Sequence, residues 1–217
     1  PIVSFGNTRD HFENLERNRS QHYSRLLPAG SSRSLAPLTT PSDSVAASDT
    51  YWTDFRGPNR DGRYTQTPLR TTWPAAGLDP LWTQPIGGGY ASFVVAQGLA
   101  FTIEQRRDEE VVSAYDVDTG REVWTHAWSA NFTETMGGPG PRATPTWHEG
   151  HLYALGATGQ FWCLDAKTGA VKWNRNILHD SAATNLAWAM SASPLIVDDL
   201  VIVQPGGASG WSVVAYN

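Results

Sequence analysis

The stretch of sequence that decides the fold is Ala114-Tyr115-Asp116-Val117-Asp118-Thr119-Gly120-Arg121-Glu122-Val123-Trp124. It returns as Cys163-Leu164-Asp165-Ala166-Lys167-Thr168-Gly169-Ala170-Val171-Lys172-Trp173 and begins again at Ala215-Tyr216-Asn217. The shared pattern is small-x-Asp-x-x-Thr-Gly-x-x-x-Trp, and both its Asp and its Trp recur after 49 residues. An internal repeat of this length, built from short strands, predicts the blades of a β-propeller.

The spacing inside this motif predicts a hairpin with a fixed register. The carboxylate of Asp116 can accept backbone N–H bonds across the turn, and Thr119 can add a weaker bond. Gly120 supplies a positive φ without strain. Trp124 then lies on the second strand, where we expect it to bury against the neighbouring blade. The same parts are expected of the second copy, at Asp165, Thr168, Gly169 and Trp173.

Alternating apolar residues and tight turns place the strands of three successive blades. The first blade is predicted at 93–96, 99–104, 110–115 and 122–127, with a two-residue turn at Gln97-Gly98. The second is predicted at 144–148, 151–155, 160–164 and 171–175, and the third at 193–197, 200–204 and 212–216. The predicted fold class is all-β: a β-propeller of four-stranded antiparallel blades, present as an incomplete arc of about three. Because closed propellers have typically 4–8 blades, we expect missing downstream blades or another chain to close the ring.

Two regions differ in composition. Residues 51–217 carry the repeats and form the predicted propeller domain. Residues 1–50 form a predicted tail, in which Asp10 to Leu27 is polar and Arg-rich and would form a short helix. Pro28 to Thr50 is rich in Ser, Pro, Ala and Thr and predicts a disordered linker. The tail is either a tether to an upstream anchor or a segment without a function.

Composition excludes several classes of protein. A net charge of −5 without a Lys/Arg cluster argues against a nucleic-acid partner. The one cysteine, Cys163, excludes an internal disulfide and a Cys-based zinc cluster. No apolar run approaches the ~20 residues of a membrane span, and no signal peptide is present. Since the chain begins with Pro1, we expect it to be processed or partial at its front.

The repeat resembles the tryptophan-docking motif of the pyrroloquinoline quinone (PQQ) repeat propellers. The likeness covers roughly residues 51–217. It is strengthened by Phe55-Arg56-Gly57-Pro58-Asn59-Arg60, Gly137-Gly138-Pro139-Gly140-Pro141-Arg142-Ala143-Thr144-Pro145 and Ser193-Pro194-Leu195, which are similar to bacterial PQQ-binding-like β-propeller repeat proteins. Leu81-Trp82 resembles the end of another docking strand. The resemblance implies a periplasmic or membrane-anchored extracytoplasmic location. The superfamily includes quinoprotein dehydrogenases and a non-catalytic scaffold lipoprotein of outer-membrane β-barrel assembly.

The candidate ligand-binding residues lie on one face of the predicted ring. In an up-and-down blade, the second loop shares a face with the between-blade loops, which feed the innermost strands and rim the central channel. The candidates on this face are Tyr90, Glu104, Gln105, Arg142, Thr144, Trp188 and Ser191, with Arg106 and Asn185 beside them. Arg142 would clamp a ligand carboxylate, pair with Glu104, or bridge neighbouring blades. Trp188 would form a stacking floor for a planar ligand or pack between blades.

Two functions are compatible with this pattern. The favoured one is a non-catalytic propeller that binds a protein or a small ligand on its axial loop face, without a catalytic residue, metal or cofactor. It requires only repeats and exposed loop side chains. The alternative, implied by the resemblance, is a PQQ- and calcium-dependent dehydrogenase of alcohols or sugars. That enzyme would need a Trp floor, a Ca²⁺ site and an Asp base. Many members also carry a vicinal disulfide, which Cys163 alone cannot form.

Overall fold

The computed structural model describes residues 52–208 and 210–217, together with five helical residues of the N-terminal segment, Glu13, Glu16, Arg17, Ser20 and Gln21. The linker predicted from Pro28 to Thr50 lies outside the described residues. The regular secondary structure of residues 52–217, as far as they are described, consists of antiparallel strands and a single short helix.

Blade 1 is a four-stranded antiparallel sheet in sequential order. Its strands are β1 (Val94–Ala96), β2 (Leu99–Arg106), β3 (Glu109–Asp116) and β4 (Glu122–Ser129). Gln97 and Gly98 both have positive φ, 51° and 75°, as a type I′ hairpin turn requires. Strands β2 and β3 pair without a register shift from Leu99 to Arg106. They are longer than predicted because the hairpin closes only at Arg107-Asp108.

Blade 2 repeats this topology, and blade 3 is a three-stranded sheet. A short hairpin that the sequence did not predict, β5 (Thr133–Glu134) with β6 (Gly138–Pro139), lies in the connection between blades 1 and 2. Blade 2 comprises β7 (Thr146–His148), β8 (His151–Leu155), β9 (Gln160–Asp165) and β10 (Val171–Asn176), followed by helix α1 (Ile177–Asp180). Blade 3 comprises β11 (Leu195–Val197), β12 (Leu200–Val203) and β13 (Val214–Tyr216).

The repeated turn has the same hydrogen bonds in both copies. The Thr119 N–H and hydroxyl donate to Asp116 Oδ1 at 2.9 and 2.7 Å. The corresponding bonds from Thr168 to Asp165 Oδ1 are 3.0 and 2.9 Å. Because one carboxylate oxygen accepts both bonds in each copy, the turn fixes the position of the following strand in the same way in blades 1 and 2.

Each copy of the turn also receives an indole from an earlier part of the chain. Trp124 Nε1 donates to the carbonyl of Ala166 at 3.0 Å, and a Cβ on Gly169 would lie 2.6 Å from the indole ring. Trp82 Nε1 donates in the same way to Val117 at 2.8 Å, with its ring against Gly120. A glycine is required at this place because any side chain would occupy the space of the indole.

The three sheets pack together through two apolar cores. The first lies between blades 1 and 2, and it includes Phe101, Ile103, Val112, Leu152, Ala154 and Leu164. The second lies between blades 2 and 3, and it includes Leu155, Phe161, Ile177, Met190, Val201 and Val203. A sheet buries a face only where another sheet packs against it, and blade 2 has a neighbouring sheet on each face. The blades therefore form successive wedges of an incomplete β-propeller.

The inner ends of the blades are joined by a relay of hydroxyl groups. The Ser92 N–H donates to Thr144 Oγ1 at 2.9 Å, and the Thr144 N–H donates to Ser193 Oγ at 3.1 Å. These residues precede β1, β7 and β11. Strands β7 and β11 therefore begin two residues later than predicted, because Thr144 and Ser193 bond to the neighbouring blade and not to their own sheet.

Residues 52–60 run along the inner strands of all three blades. Trp52 and Val95 exchange two backbone hydrogen bonds of 2.8 Å, and Trp147 donates its N–H to Thr53 at 2.9 Å. Arg60 Nη2 reaches the carbonyl of Ile196 at 3.4 Å. The sequence analysis assigned no strand of a blade to this segment, whereas the structure uses it to link the inner edges of the blades.

Candidate functional site

The axial loop face is defined here by the between-blade loops 87–92, 137–145 and 185–193 and by the second loops of the blades. Antiparallel order within each sheet brings these loops to the same end of the strands. The face is held together by backbone contacts between loops. Tyr90 donates its N–H to the carbonyl of Pro141 at 2.8 Å. A Cβ on Gly140 would collide with the carbonyl of Gly88, so two loops approach at backbone distance here.

Arg142 is enclosed by the protein and does not project into the channel as a free cation. Its Nη1 and Nη2 donate to the carbonyls of Pro139 and Gly138 at 3.2 and 2.8 Å, and Nη2 lies 3.5 Å from Glu134 Oε1. The guanidinium also stacks on the ring of Tyr90, at 4.7 Å from its centroid. The side chain is 9% exposed. Burial lowers the pKa of Arg142, although the charge of Glu134 opposes this shift.

The predicted pairing of Arg142 with Glu104 is wrong, because Arg142 pairs with Glu134. Glu104 is fully buried on β2, where Oε2 accepts from the Gly87 N–H and Oε1 accepts from Arg106 Nε at 2.8 Å. Arg106 also bonds Glu122, so this cation is shared by two carboxylates. Although burial opposes its charge, those carboxylates raise the pKa of Arg106 above its usual range.

Gln105 and Thr144 are also engaged within the protein. Gln105 is fully buried: its Nε2 donates to the Arg107 carbonyl at 3.1 Å, and its Oε1 accepts from the Phe132 N–H at 3.0 Å. Thr144 is buried in the hydroxyl relay. Four of the seven candidates, Glu104, Gln105, Arg142 and Thr144, therefore hold the loops in place.

The other three candidates are exposed. Tyr90 is 52% exposed, Trp188 is 54% exposed, and Ser191, three residues after Trp188, is also exposed. Exposure of Trp188 favours a surface contact over packing between blades. Sequence analysis missed Leu186, which is 58% exposed in the 185–193 loop, and Met136, which is 82% exposed at the turn of the β5–β6 hairpin, next to the 137–145 loop. The signal that could have identified them in the sequence is a long apolar side chain within a loop rich in Gly or Ala.

Glu110 is a further residue that sequence analysis missed. It is fully buried on β3, where its Oε1 accepts from the Ala157 N–H at 2.8 Å and its Oε2 accepts from Trp128 Nε1 at 3.1 Å. Burial raises the pKa of Glu110 to about 7, although these two hydrogen bonds oppose the shift. The carboxyl group thus joins blade 1 to the Gly156-Ala157 loop of blade 2.

Blade 1 carries an apolar cavity on the side that faces away from blade 2. The cavity has a volume of about 370 Å³ and lies between residues 82–86 and the sheet. Its lining residues are Trp82, Gln84, Pro85, Ile86, Phe93, Val95, Ala100, Tyr115 and Val117. Among the described residues, no three His, Cys, Asp or Glu side chains gather as a metal site would require. No helix in the described ranges is long and apolar enough to cross a membrane.

The solved structures most similar to the chain include several propellers. The quinohemoprotein alcohol dehydrogenase of Comamonas testosteroni is 22% identical, with a TM-score of 0.51, over 75% of this chain and 24% of that one. A europium-containing methanol dehydrogenase is 18% identical over 61% of this chain and 23% of that one, with a TM-score of 0.45. BamB from Moraxella catarrhalis is 18% identical over 54% of this chain and 45% of that one, with a TM-score of 0.35.

At these identities the first structure supports the propeller fold alone, and the chain spans about a quarter of its length. No curated protein sequence matches the chain. The family model described as outer membrane protein assembly factor BamB matches residues 107–217, which is just over half of the chain and contains both complete copies of the Asp-x-x-Thr-Gly turn. The chain therefore belongs to this family of PQQ-like β-propeller repeat proteins.

Proposed function

We propose that this chain is part of a non-catalytic β-propeller that binds a protein segment or a small ligand on its axial loop face. The observation that carries the proposal is that the charged and the apolar side chains of this face differ in their surroundings. Its charged candidates bond within the protein, whereas Tyr90, Met136, Leu186 and Trp188 project about half or more of their surface. Exposed apolar patches mark interaction sites, and Tyr, Trp and Met are enriched in protein interfaces.

The framework below these side chains supports binding without a large rearrangement. The internal bonds of Arg142 fix the 137–142 loop, and Tyr90 stacks on the same guanidinium. A surface aromatic held in this way loses little conformational freedom when a partner contacts it. Preorganisation of this kind raises affinity because little conformational entropy is left to be lost on binding.

A quinone cofactor with calcium does not fit the described residues. Ca²⁺ takes 6–8 oxygen ligands. Glu104, the acidic candidate of the axial face, accepts from the Gly87 N–H and from Arg106, so a calcium ion would have to displace the half-buried guanidinium of Arg106. Asn185 Oδ1 is buried without a bond to any described residue, but one amide oxygen is far from a coordination shell.

The open side of blade 1 supports the proposal that further blades or another chain complete the ring. Trp82 contacts blade 1 as Trp124 contacts blade 2, yet residues 53–87 contain no strand that would form a blade around Trp82. The apolar cavity beside Trp82 lies where such a blade would pack. We place the assembled protein outside the cytoplasm, periplasmic or membrane-anchored, because its family is described by outer-membrane assembly.

Selection of peptides from a random display library on the intact protein tests this function. Tyr90→Ala and Trp188→Ala should each lower the affinity of the selected peptides by about tenfold, because aromatic side chains often dominate the binding energy of an interface. Trp73→Ala is the matched control, since Trp73 is also more than half exposed but lies outside the axial loops. Peptides that are insensitive to both axial variants would contradict the proposal.

A titration of the intact protein with PQQ and Ca²⁺, followed by tryptophan fluorescence, tests the alternative. Tight calcium-dependent quenching, together with alcohol-dependent reduction of a dye, would overturn the non-catalytic proposal. We expect neither signal.

A further inference from the structure

The open face of blade 1 corresponds in register to the face of blade 2 that blade 1 covers. Ala100 pairs with Tyr115 across strands β2 and β3. Leu152 pairs with Leu164 in the same way in blade 2, and both belong to the core between blades 1 and 2. The open face of blade 1 therefore repeats the construction of a face against which another sheet packs.

At each interface between two blades, an aromatic side chain of the earlier blade packs beside the docking tryptophan. The ring centroid of Phe101 in blade 1 lies 5.9 Å from that of Trp124. In blade 2, the rings of Tyr153 and Phe161 lie 6.0 and 5.3 Å from that of Trp173. Such pairs stabilise an interface beyond the area that they bury. An aromatic side chain beside the indole is thus common to both interfaces.

The apolar cavity of blade 1 lies beside Trp82, where this aromatic side chain is expected. Trp82 Nε1 donates to the carbonyl of Val117. Trp124 makes the equivalent bond to Ala166, so the two indoles occupy corresponding places. The cavity measures about 370 Å³. Since a cavity of ~150 Å³ holds a benzene ring, there is room here for a larger aromatic side chain.

The lining of the cavity favours an aromatic occupant that carries a hydrogen-bond donor. Trp82, Phe93 and Tyr115 contribute rings to it. Gln84 also lines the cavity: its Nε2 donates to the Gly120 carbonyl at 2.7 Å, and its Oε1 is buried without a donor among the described residues. A buried acceptor without a donor costs free energy, which a hydroxyl group on the occupant would recover.

We propose that the cavity beside Trp82 receives a tyrosine side chain from the blade that packs on the open face of blade 1. The aromatic ring takes the place that Phe101 has beside Trp124, and its hydroxyl donates to Gln84 Oε1. Blade 2 already carries a tyrosine, Tyr153, at the position that corresponds to Phe101. The proposal rests on the completion of the propeller proposed above and specifies the partner: a blade with tyrosine at this position of its second strand.

Blade 3 of a second copy would not supply this side chain. A head-to-tail contact between two copies would place the open face of blade 3 against blade 1. Ile202 pairs with Ala215 in blade 3 as Tyr153 pairs with Cys163 in blade 2, and Ile202 therefore holds the corresponding position. Its side chain is aliphatic and carries no donor. The chemistry of the cavity thus favours a blade of different sequence.

p-Cresol and toluene, the side chains of tyrosine and phenylalanine without a backbone, test the cavity in the full chain. An NMR titration follows the indole N–H resonance of Trp82, assigned by its loss in Trp82→Phe. Both compounds should bind, and p-cresol should bind roughly three- to tenfold more tightly, because its hydroxyl can donate to Gln84 Oε1. Gln84→Met should remove this preference and keep the binding of toluene. Ala100→Phe, which fills the cavity from the sheet, should abolish the binding of both.

Gln66→Met is the matched control, since Gln66 is exposed and does not line the cavity, and it should leave both affinities unchanged. Absence of binding by either compound would overturn the proposal, as would equal affinities of the two for the unchanged protein. Self-association that Ala100→Phe abolishes, measured by sedimentation equilibrium, would also overturn it, because a second copy would then occupy the cavity. The axial aromatic residues take no part in this experiment, so its outcome is independent of whether the axial face binds peptides.

Discussion

Single polar side chains decide how the blades of this propeller are joined. Glu110 bonds a backbone N–H of the next blade and an indole of its own blade. Arg142 bonds two carbonyls and Glu134 within one connection. Neither group is free to meet a ligand, because a buried polar group that loses its partner is left with an uncompensated desolvation cost. Arg142, a ligand-binding candidate in the sequence, is therefore engaged within the protein.

Glu110 makes stability depend on pH near neutrality. Its folded pKa of about 7 lies above the ~4.3 of an exposed glutamate, so folding favours the protonated form. The contribution of Glu110 to stability is fully present below pH ~4.3 and is lost as the pH rises through about 7. We expect the unchanged protein to lose on the order of 2–3 kcal/mol relative to Glu110→Gln between pH 4 and pH 8.

Urea unfolding at several pH values measures this difference. Glu109→Gln, on the exposed neighbour in the same strand, is the control and should follow the pH profile of the unchanged protein. Parallel profiles for the unchanged protein and Glu110→Gln would show that the carboxyl group titrates as an exposed one does.

At the scale of the element, the Asp-x-x-Thr-Gly turn does two things at once. Its Asp and Thr close the hairpin, and its glycine leaves room for an indole from the preceding blade. Local hydrogen bonding and contact between blades therefore depend on the same short turn. A β-hairpin alone would need only the first of these properties.

Two glycines of blade 2 separate backbone strain from loss of the indole contact. Gly150 and Gly169 have similar positive φ values, 79° and 73°, but a Cβ on Gly150 would meet nothing within 4 Å. A Cβ on Gly169 would lie 2.6 Å from the Trp124 ring. We expect Gly150→Ala to cost about 1 kcal/mol for the left-handed backbone, and Gly169→Ala to cost at least about 2 kcal/mol more.

Chemical denaturation of the two alanine variants gives the comparison. In Gly169→Ala alone, the fluorescence of the native state should also change, because the indole of Trp124 is displaced. Equal losses of unfolding free energy in both variants would mean that Trp124 moves aside without a penalty.

At the scale of the whole molecule, the chain is a series of wedges whose stability comes from the contacts between them. One apolar core joins blades 1 and 2, and another joins blades 2 and 3. The hydroxyl relay and residues 52–60 connect the same blades at their inner ends. In a repeat array of this kind, the free energy of unfolding is approximately the sum of contributions from each repeat and from each interface between neighbours.

Trp124→Ala should weaken the interface between blades 1 and 2. It removes the bond to Ala166 and the packing on Gly169, at a cost of about 3 kcal/mol. Thr125→Ala, on the exposed next residue of β4, should change stability by less than about 0.5 kcal/mol. Urea unfolding followed by circular dichroism measures both variants, and similar midpoints would show that the indole contact does not hold the blades together.

The sequence by itself determined the repeat, the turn and most strand positions. These follow from residues close together in the chain: Asp116, Thr119 and Gly120 interact within one turn, and alternation along a strand is local. The tertiary structure alone decided which distant groups meet. Arg142 lies beside Glu134 and not Glu104, Glu110 reaches the next blade, and residues 52–60 follow the inner strands. Burial and ion pairing depend on the position of every neighbouring blade, and a local pattern carries no information on that.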